Sequence, residues 1–207
     1  MGQVDFAGMR AAMVASQLRT SDVNDNAVIA AMSSVPREDF VPAARRETCY
    51  IDRAIPLDEG RVMNPPLATG RLLTLAEIRS GDKVLLLGDA TGYTAALLAH
   101  MGAQVTAITD IKKPANLPSS VTWQKTVEAK DAPYDVILVD GAVEELPDHI
   151  VQQLADDGRI ALGMIVRGVP RLCSGRKAGG VIGYVSHAEM EMAIVPGFAK
   201  KVHAFTF

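Results

Sequence analysis

The chain has 207 residues, of which 48% are hydrophobic and 22% charged, and its formal net charge is −3. This length favours one domain over two with separate cores, and the composition is that of a folded globular protein. A chain without net positive charge lacks the field that holds a polyanion, so we expect no nucleic-acid partner. No apolar run approaches the roughly 20 residues that cross a bilayer, so we expect no membrane partner.

The N-terminus and the cysteines bear on the cellular compartment. The segment MGQVDFAGMR places an acid where a secretory signal would carry basic residues before an apolar stretch. Cys49 and Cys173 lie far apart and, like the four histidines, show no metal-ligand spacing. We therefore predict a reduced, cytoplasmic protein without a metal site.

The first 66 residues divide into a helical part and a connection. Apolar side chains recur at helical spacing in residues 5–18 and 22–34, which predicts two helices, with a capping signal at Ser21 and Asp22 between them. Residues 43–66 show no clear period and contain three prolines and a glycine. This pattern predicts a long ordered connection, and such loops are often functional.

From residue 82 onward, short apolar strands alternate with helices. The predicted strands cover residues 83–88, 104–110, 134–140 and 159–166, and the predicted helices cover residues 91–102 and 146–158. Strands that are apolar on both faces and alternate with helices indicate a parallel sheet covered on both sides. We predict a doubly wound α/β fold with a mostly parallel sheet, an N-terminal helical segment over the strand ends, and a β-rich C-terminal extension.

One crossing between strands is unusual. The interval between Asp110 and the apolar segment 121–123 contains Pro114 and Pro118. A proline inside a helix removes a hydrogen bond and clashes with the preceding turn, at a cost of about 3 kcal/mol. We therefore predict a short turn or a bare loop here instead of a crossover helix.

The main candidate for a ligand site is the turn of residues 88–92, Gly-Asp-Ala-Thr-Gly, between a buried strand and a helix. Ligands of open α/β sheets bind at the carboxyl ends of the strands. The two glycines permit a tight turn, and the helix N-terminus offers unpaired N–H groups. The alternative is a purely structural turn capped by Thr91.

Charge narrows the choice of ligand. Asp89 would repel a pyrophosphate at the helix N-terminus, and the third glycine of G-x-G-x-x-G is missing, which disfavours a nicotinamide oxidoreductase. S-adenosylmethionine has no phosphate and carries an ammonium and a sulfonium group. An acidic turn therefore favours S-adenosylmethionine.

Three further polar residues are candidates. Asp110 follows the second strand of this region, where an acid would bind ribose hydroxyls, and Asp140 ends the third strand and faces the same crevice. Asn64 precedes Pro65, which biases its backbone to an extended conformation and could hold the amide over a pocket. The structural alternatives are a turn former at Asp110, a cap at Asp140 and a rigid loop at Asn64.

Several stretches, in their order and spacing, carry a resemblance to a known family. They are MVASQLRTSDV, VIAAMSSVPREDFVP, CYIDRAIPLDEG, GRVMNPPLATGRLL, LLLGDATGYTAALLA, YDVILVDGA and LPDHIVQQLADDG, of which the second is the most specific. Over about residues 9–166 the chain resembles the protein-L-isoaspartate O-methyltransferase family. The resemblance implies a class I methyltransferase (Rossmann-like) fold in one domain, with a cap at 1–80, a core at 81–166 and an extension at 167–207.

The resemblance also implies a reaction. Members of the family repair proteins by methylating abnormal aspartyl carboxylates of a peptide or protein with S-adenosylmethionine. A carboxylate is already a nucleophile, so the enzyme must mainly align the reacting groups and exclude water. The family places a Thr-Ile-Ser-Gln-Pro loop over its site. This loop aligns with residues 62–66, where Asn64 replaces the serine and becomes our candidate catalytic residue.

The cofactor turn departs from the family pattern Glu-x-Gly-x-Gly-x-Gly-Tyr. Leu86 replaces the acid and Ala90 the central glycine, and Asp89 could bind the methionine amine instead. Thr109 aligns with the ribose acid, so Asp110 would point to the opposite side if the strand continued through it. The implied cofactor-binding residues are Gly88, Asp89, Ala90, Thr91, Gly92, Tyr93, Thr109, Asp110 and Asp140. A non-catalytic descendant that serves as an interaction module is the alternative function.

Overall fold

The computed structural model of the chain describes residues 4–128 and 131–199. Its α-helices are α1 (Phe6–Met13), α2 (Asn26–Ser34), α3 (Pro66–Ala76), α4 (Tyr93–His100) and α5 (Asp148–Val151). Its strands are β1 (Ile55–Pro56), β2 (Val62–Met63), β3 (Lys83–Leu87), β4 (Gln104–Ile108), β5 (Val121–Gln124), β6 (Tyr134–Val143), β7 (Leu154–Val166), β8 (Val169–Ala178) and β9 (Val181–Glu189). Within these described ranges, no helix is long and apolar enough to cross a membrane.

Seven strands form the main sheet, in the order β5-β4-β3-β6-β7-β8-β9. The pairs from β5 to β7 are parallel, whereas β7, β8 and β9 form an antiparallel meander. The short strands β1 and β2 pair separately with each other. The predicted fold class is confirmed, because strands β3 to β7 form a parallel α/β sheet and β8 and β9 form the β-rich extension.

The central strands bury side chains on both faces. Alternate residues of β3 belong to two apolar clusters, with Leu86 in one and Leu85 in the other. The first cluster also contains buried residues of α1, α2, α3 and α4, so the N-terminal helices pack on that face. The second cluster receives Ile150 from α5. Period-two burial in a parallel sheet therefore divides the core into two layers.

The N-terminal helices begin and end differently from the prediction. Helix α1 continues into a π-helical turn at Val14–Leu18 and a 3-10 turn at Arg19–Ser21. Helix α2 is capped by Asp25, whose Oδ1 accepts from the backbone N–H groups of Ala27 and Val28. The predicted capping signal at Ser21 and Asp22 is wrong, since Asp22 adopts a left-handed conformation with φ of 62°.

The predicted helix over residues 146–158 is wrong for most of its length. Helix α5 has only four residues, and β7 already begins at Leu154. Leu154 pairs with Tyr134 of β6 and is buried in the second cluster. A helix through Gly158 would lose this pairing, so the sheet contact overrides the local helical period.

The proline-containing crossing between β4 and β5 contains no helix, as predicted. Lys113 closes the loop by donating from Nζ to the carbonyl of Val121 at 2.8 Å, and the Trp123 indole donates to the carbonyl of Ile111 at 2.9 Å. The chain therefore passes between parallel strands through a loop held by side chains.

One face of the sheet is less covered than the sequence predicts. Thr106 of β4 and Gln124 of β5 are half-buried and Thr122 is exposed, on the face opposite α4. A groove of about 420 Å³ lies there beside Lys83 and Tyr134. The expectation of a sheet covered on both sides is therefore wrong at β4 and β5, where polar residues face this groove.

The C-terminal segment returns across the sheet after β9. We call residues 190–198 the strap. It runs beside β6, where Ile194 forms a parallel bridge with Ala142. The predicted strand character of residues 200–207 lies outside the described residues. The strap thus brings the end of the extension to the carboxyl ends of the central strands.

Core packing around β3 gives the first testable prediction. Leu86 is fully buried between the helices and the sheet, whereas Val181 on the edge strand β9 is 70% exposed. Leu86→Ala should lower the free energy of unfolding by about 2–5 kcal/mol, because it removes buried contacts and leaves a cavity. The control Val181→Ala should change it by no more than about 0.5 kcal/mol. Chemical denaturation measures both, and equal effects would contradict the assigned core.

Candidate functional site

A cavity of about 480 Å³ lies at the carboxyl ends of β3 and β4. Its volume is within the range of roughly 300–1,000 Å³ typical of small-molecule sites. The lining consists of residues 87–90 at the end of β3 and in the turn after it, residues 108–110 at and after the end of β4, residues 193–196 and Phe198 of the strap, and Glu59, Arg61 and Val62 from the connection before α3. The cavity is therefore at the edge of the sheet where open α/β folds bind ligands.

Asp89 organises the turn between β3 and α4. Its Oδ1 accepts from the backbone N–H groups of Thr91 at 3.0 Å and Gly92 at 2.7 Å, and its Oδ2 accepts from Ala95 at 2.9 Å. Thr91 Oγ1 also accepts from the N–H of Tyr93 at 3.2 Å. The first N–H groups of α4 are thus bound by the protein's own side chains, which is how helix N-termini are usually capped.

The Asp89 carboxyl is almost completely buried, with an exposed fraction of 2%. Burial, followed by the nearby negative charge of Asp140, raises the pKa of Asp89 to about 6, and the three N–H donors oppose this shift. The predicted contact of Asp89 with a methionine amine stays a prediction. In the structure, Oδ1 of this carboxyl binds two N–H groups of the turn and Oδ2 binds one N–H group of α4.

A second buried acid, Asp140, lies within β6, which continues to Val143, so the expectation that it ends this strand is wrong. Its Oδ1 accepts from Asn64 Nδ2 at 2.7 Å, and its Oδ2 accepts from the Thr94 hydroxyl at 2.7 Å. Burial raises the pKa of Asp140, and these two hydrogen bonds and the charge of Arg37 lower it. Asn64 Oδ1 accepts in turn from the backbone N–H of Ala193 at 2.7 Å. Asn64 thus links the connection before α3 to the sheet and the strap.

Arg37 is a fully buried cation behind this network. Its Nε donates to the carbonyl of Cys49 at 2.7 Å and its Nη2 to the carbonyl of Asn64 at 2.5 Å. The guanidinium carbon lies 5.0 Å from the centre of the Tyr93 ring. A buried cation that binds backbone carbonyls fixes the position of Asn64 and adds positive charge near the two buried acids.

Five of the nine predicted cofactor-binding residues line the cavity. They are Gly88, Asp89, Ala90, Thr109 and Asp110. Thr109 and Asp110 line it together, because β4 ends at Ile108 and the alternation of side chains stops there. The condition under which Asp110 would point to the opposite side, a strand that continues through it, is therefore not met.

The remaining four predicted residues, Thr91, Gly92, Tyr93 and Asp140, are not among the described residues that line the cavity. A Cβ atom added to Gly92 would lie 2.7 Å from Pro114 Cγ, so the loop after β4 rests on this glycine. Tyr93 is buried beneath Arg37, and its ring meets the ring of Phe40 edge to face at 5.7 Å. Gly92 and Tyr93 thus pack against the protein interior and not against the cavity.

The lining residues suit a cationic nucleoside. Glu59 and Asp110 contribute carboxylates, and the one lining cation within the described residues, Arg61, pairs with Glu59 at 3.3 Å. Apolar side chains of Ile108, Val195 and Phe198 offer surface for a base. The charge and the apolar surface of this lining therefore fit S-adenosylmethionine.

Residues 4–128 and 131–199 contain no group of three or more His, Cys, Asp or Glu side chains that could hold a metal ion.

Two parts of the site are not predicted from the sequence. Arg37 lies in the stretch that resembles the family most specifically. The spacing of apolar residues in that stretch does not indicate that an arginine is buried there. The strap was predicted only as part of a β-rich tail. The apolar run Ala-Ile-Val before Pro196 is the signal that could have found the strap, because these residue types are often buried.

Sequence comparison identifies the family. The profile of the family described as Protein-L-isoaspartate(D-aspartate) O-methyltransferase matches residues 9–131 and 123–174. The chain belongs to this family. The match includes the turn after β3, the acid after β4, the acid within β6, and the first part of the antiparallel meander.

Individual relatives agree with this assignment. A protein-L-isoaspartate O-methyltransferase of Koribacter versatilis is 37% identical over 170 residues, which are 76% of this chain and 77% of the relative. One from Methanoculleus marisnigri is 37% identical over 164 residues, 73% of this chain and 74% of the relative.

Solved structures agree in fold. A Plasmodium falciparum protein, described as a β-aspartate methyltransferase in complex with S-adenosyl-L-homocysteine, superposes with a TM-score of 0.73 at 17% identity and covers 93% of this chain and 99% of its own. A second structure, described as a protein-L-isoaspartate O-methyltransferase, superposes with a TM-score of 0.74 at 20% identity and covers 92% of this chain and 67% of its own.

The buried carboxyl of Asp89 predicts a pH dependence of stability. Its pKa of about 6 in the folded protein exceeds that of an unfolded aspartate, so protonation favours the folded state. This contribution is complete below about pH 4 and is lost as the pH rises through about 6. The variant Asp89→Asn cannot titrate, and it should cost about 1–3 kcal/mol because the N–H of Ala95 loses its acceptor.

Urea denaturation at several pH values measures this difference. Between about pH 4 and about pH 6 the wild-type free energy of unfolding should fall relative to that of Asp89→Asn. The exposed Asp156→Asn serves as the matched control and should run parallel to the wild type. Parallel curves for Asp89→Asn and the wild type would show that Asp89 is ionised across this range in the fold.

Proposed function

We propose that the chain is an S-adenosylmethionine-dependent carboxyl methyltransferase that acts on peptides or proteins bearing an isoaspartyl or otherwise abnormal aspartyl carboxylate. The observation that carries this proposal is the cavity of about 480 Å³ at the ends of β3 and β4, in a member of this family. The names of the relatives support the substrate class, and the acidic lining supports a cationic cofactor.

The chemistry demands little acid–base catalysis. Bound S-adenosylmethionine supplies an electrophilic methyl group, and the substrate carboxylate is already the nucleophile. The chain must therefore align the two and keep water away. The turn of residues 88–90 would position the nucleoside, Thr109 and Asp110 would bind its hydroxyl groups, and Ile108 and the strap would exclude water. The prediction that Asn64 orients the reacting groups stays a prediction.

We also propose that residues 1–207 form one methyltransferase-like domain, with a cap at 1–80, a core at 81–166 and an extension at 167–207. A single apolar cluster contains residues from Met13 to Met192, which supports this division of one folded unit. A reducing, cytoplasmic compartment is part of the same proposal, and the two free, buried cysteines support it.

A second candidate function is a binding module without turnover. It is favoured by the burial of Asn64 and Asp140 beneath the strap and by the contact of Pro114 with Gly92. In such a module the fold would persist while the methyl donor or the acceptor no longer reached a reactive position.

Calorimetry and a methylation assay distinguish the two functions. The folded wild-type protein should bind S-adenosylmethionine and transfer its methyl group to an isoaspartyl peptide, giving a base-labile methyl ester. The same peptide with a normal aspartyl linkage is the matched control and should not be methylated. Absence of binding heat at high micromolar ligand rejects the methyltransferase, whereas binding without methyl transfer favours the module.

The acid after β4 provides a site-specific prediction. Asp110→Asn should weaken S-adenosylmethionine binding about tenfold, because a charge-assisted hydrogen bond contributes about 1.5–3 kcal/mol and a tenfold change corresponds to about 1.4. Asp156→Asn, on an exposed position at the start of β7, should leave the affinity within about twofold. Titration calorimetry gives both values, and an unchanged affinity in Asp110→Asn would remove this residue from the site.

A further inference from the structure

The strap forms one wall of the cavity and at the same time covers buried polar groups. Ala193, Ile194 and Val195 line the cavity, and Ile194 is 58% exposed. Asn64 and Asp140 lie on the other side of the strap, with exposed fractions of 2% and 7%. The strap therefore separates these two side chains from the space in which a cofactor would bind.

Backbone hydrogen bonds align the strap with β6. The N–H of Ala142 donates to the carbonyl of Ala193 at 2.7 Å, and the N–H of Val195 donates to the carbonyl of Ala142 at 2.9 Å. The strap also packs against glycines, since a Cβ at Gly88 would lie 2.8 Å from Val195 Cγ2 and one at Gly141 would lie 2.5 Å from the Ala193 carbonyl oxygen. These two glycines allow the strap to lie directly on the strand ends.

The Asn64 side chain provides the contact that ties the strap to the rest of the cavity. Its Oδ1 accepts from Ala193 N–H, and its Nδ2 donates to Asp140. The amide oxygen therefore binds the strap, and the amide nitrogen binds β6. A hydroxyl at this position is shorter than an amide and has a single donor hydrogen. The bridge is thus a property of the asparagine in this chain.

We propose that Asn64 is a positioning residue that fastens the strap as a preformed wall of the cofactor cavity. The identity of the ligand, S-adenosylmethionine, rests on the proposed function. The part of the inference that Asn64 holds the strap in place does not. Without the amide, the strap keeps its backbone hydrogen bonds to Ala142 but loses its contact with Asn64, so more of its ordering takes place on binding and this cost appears in the affinity. Asn64 therefore acts on the cofactor through the strap.

Amide hydrogen exchange of the ligand-free protein tests whether Asn64 holds the strap in place. In Asn64→Ala the amides of Ala193 and Val195 should exchange at least tenfold faster, while the amides of β3 keep their protection. Asn24→Ala, at an exposed asparagine, is the matched control and should match the wild type at both places. Unchanged exchange in the strap overturns the proposal, and so does an equal loss of protection in β3, which would assign Asn64 a merely structural role.

Kinetics test the consequence for the cofactor. In Asn64→Ala the KM for S-adenosylmethionine should rise about tenfold, whereas kcat should fall less than about threefold, because the cost is an ordering cost of binding. A loss confined to kcat overturns the positioning role. If the wild-type protein binds no S-adenosylmethionine, the methyltransferase proposal fails. The exchange experiment still tests whether Asn64 holds the strap in place.

Asn64→Asp provides a second variant in case Asn64→Ala does not fold. The new carboxyl keeps an acceptor for Ala193 N–H and can share one proton with Asp140, but two ionised carboxylates would repel. Asp140 and Arg37 contact Asn64 directly. Behind them, Asp89 interacts electrostatically with Asp140, and the Tyr93 ring lies against Arg37. Strap protection, corrected for intrinsic exchange and compared with the wild type, should be present near about pH 5 and lost near about pH 8. Protection that is independent of pH overturns the proposal.

Discussion

The hydrogen bond between Asn64 and Asp140 joins parts of the chain that are 76 residues apart. A buried carboxylate is tolerated only where donors replace the water that it loses, and Asp140 finds them in Asn64 and Thr94. Each donor belongs to a different segment, so satisfying this one acid brings the connection before α3, helix α4 and β6 together. The strap then attaches through the remaining end of the Asn64 amide. The shape of the cavity follows from these contacts.

A second acid, Asp89, stabilises the neighbouring turn. The family pattern has its acid at the position of Leu86, whereas this chain carries one three residues later, where it caps α4. These hydrogen bonds stabilise the turn and the helix N-terminus and use most of the acceptor capacity of the Asp89 carboxyl. Asp110 and Glu59 add two more carboxylates to the lining of the cavity.

Much of the fold could be predicted because it depends on local patterns. The strand at residues 83–87 can be recognised from its own apolar residues. The prolines after Asp110 likewise indicate, without any distant contact, that no helix forms there. The helix over 146–158 was predicted wrongly because the pairing of Leu154 with Tyr134 is a contact between distant residues that no local period reports. For the same reason the partners of Asn64, one of which lies 129 residues away, could not be read from the sequence. The acids after β3 and β4 were found, since strand ends are visible in the sequence.

The sparsely covered face at β4 and β5 has a thermodynamic consequence. Local unfolding begins where few apolar contacts hold a border strand, and β5 has only four residues and polar neighbours on that face. Thr109, which follows β4, is held to this strand by its N–H bond to Gln124. A ligand that binds Thr109 would therefore reduce local unfolding of β4 and β5. By thermodynamic linkage, a substitution that destabilises β5 would lower the affinity for this ligand without contacting it.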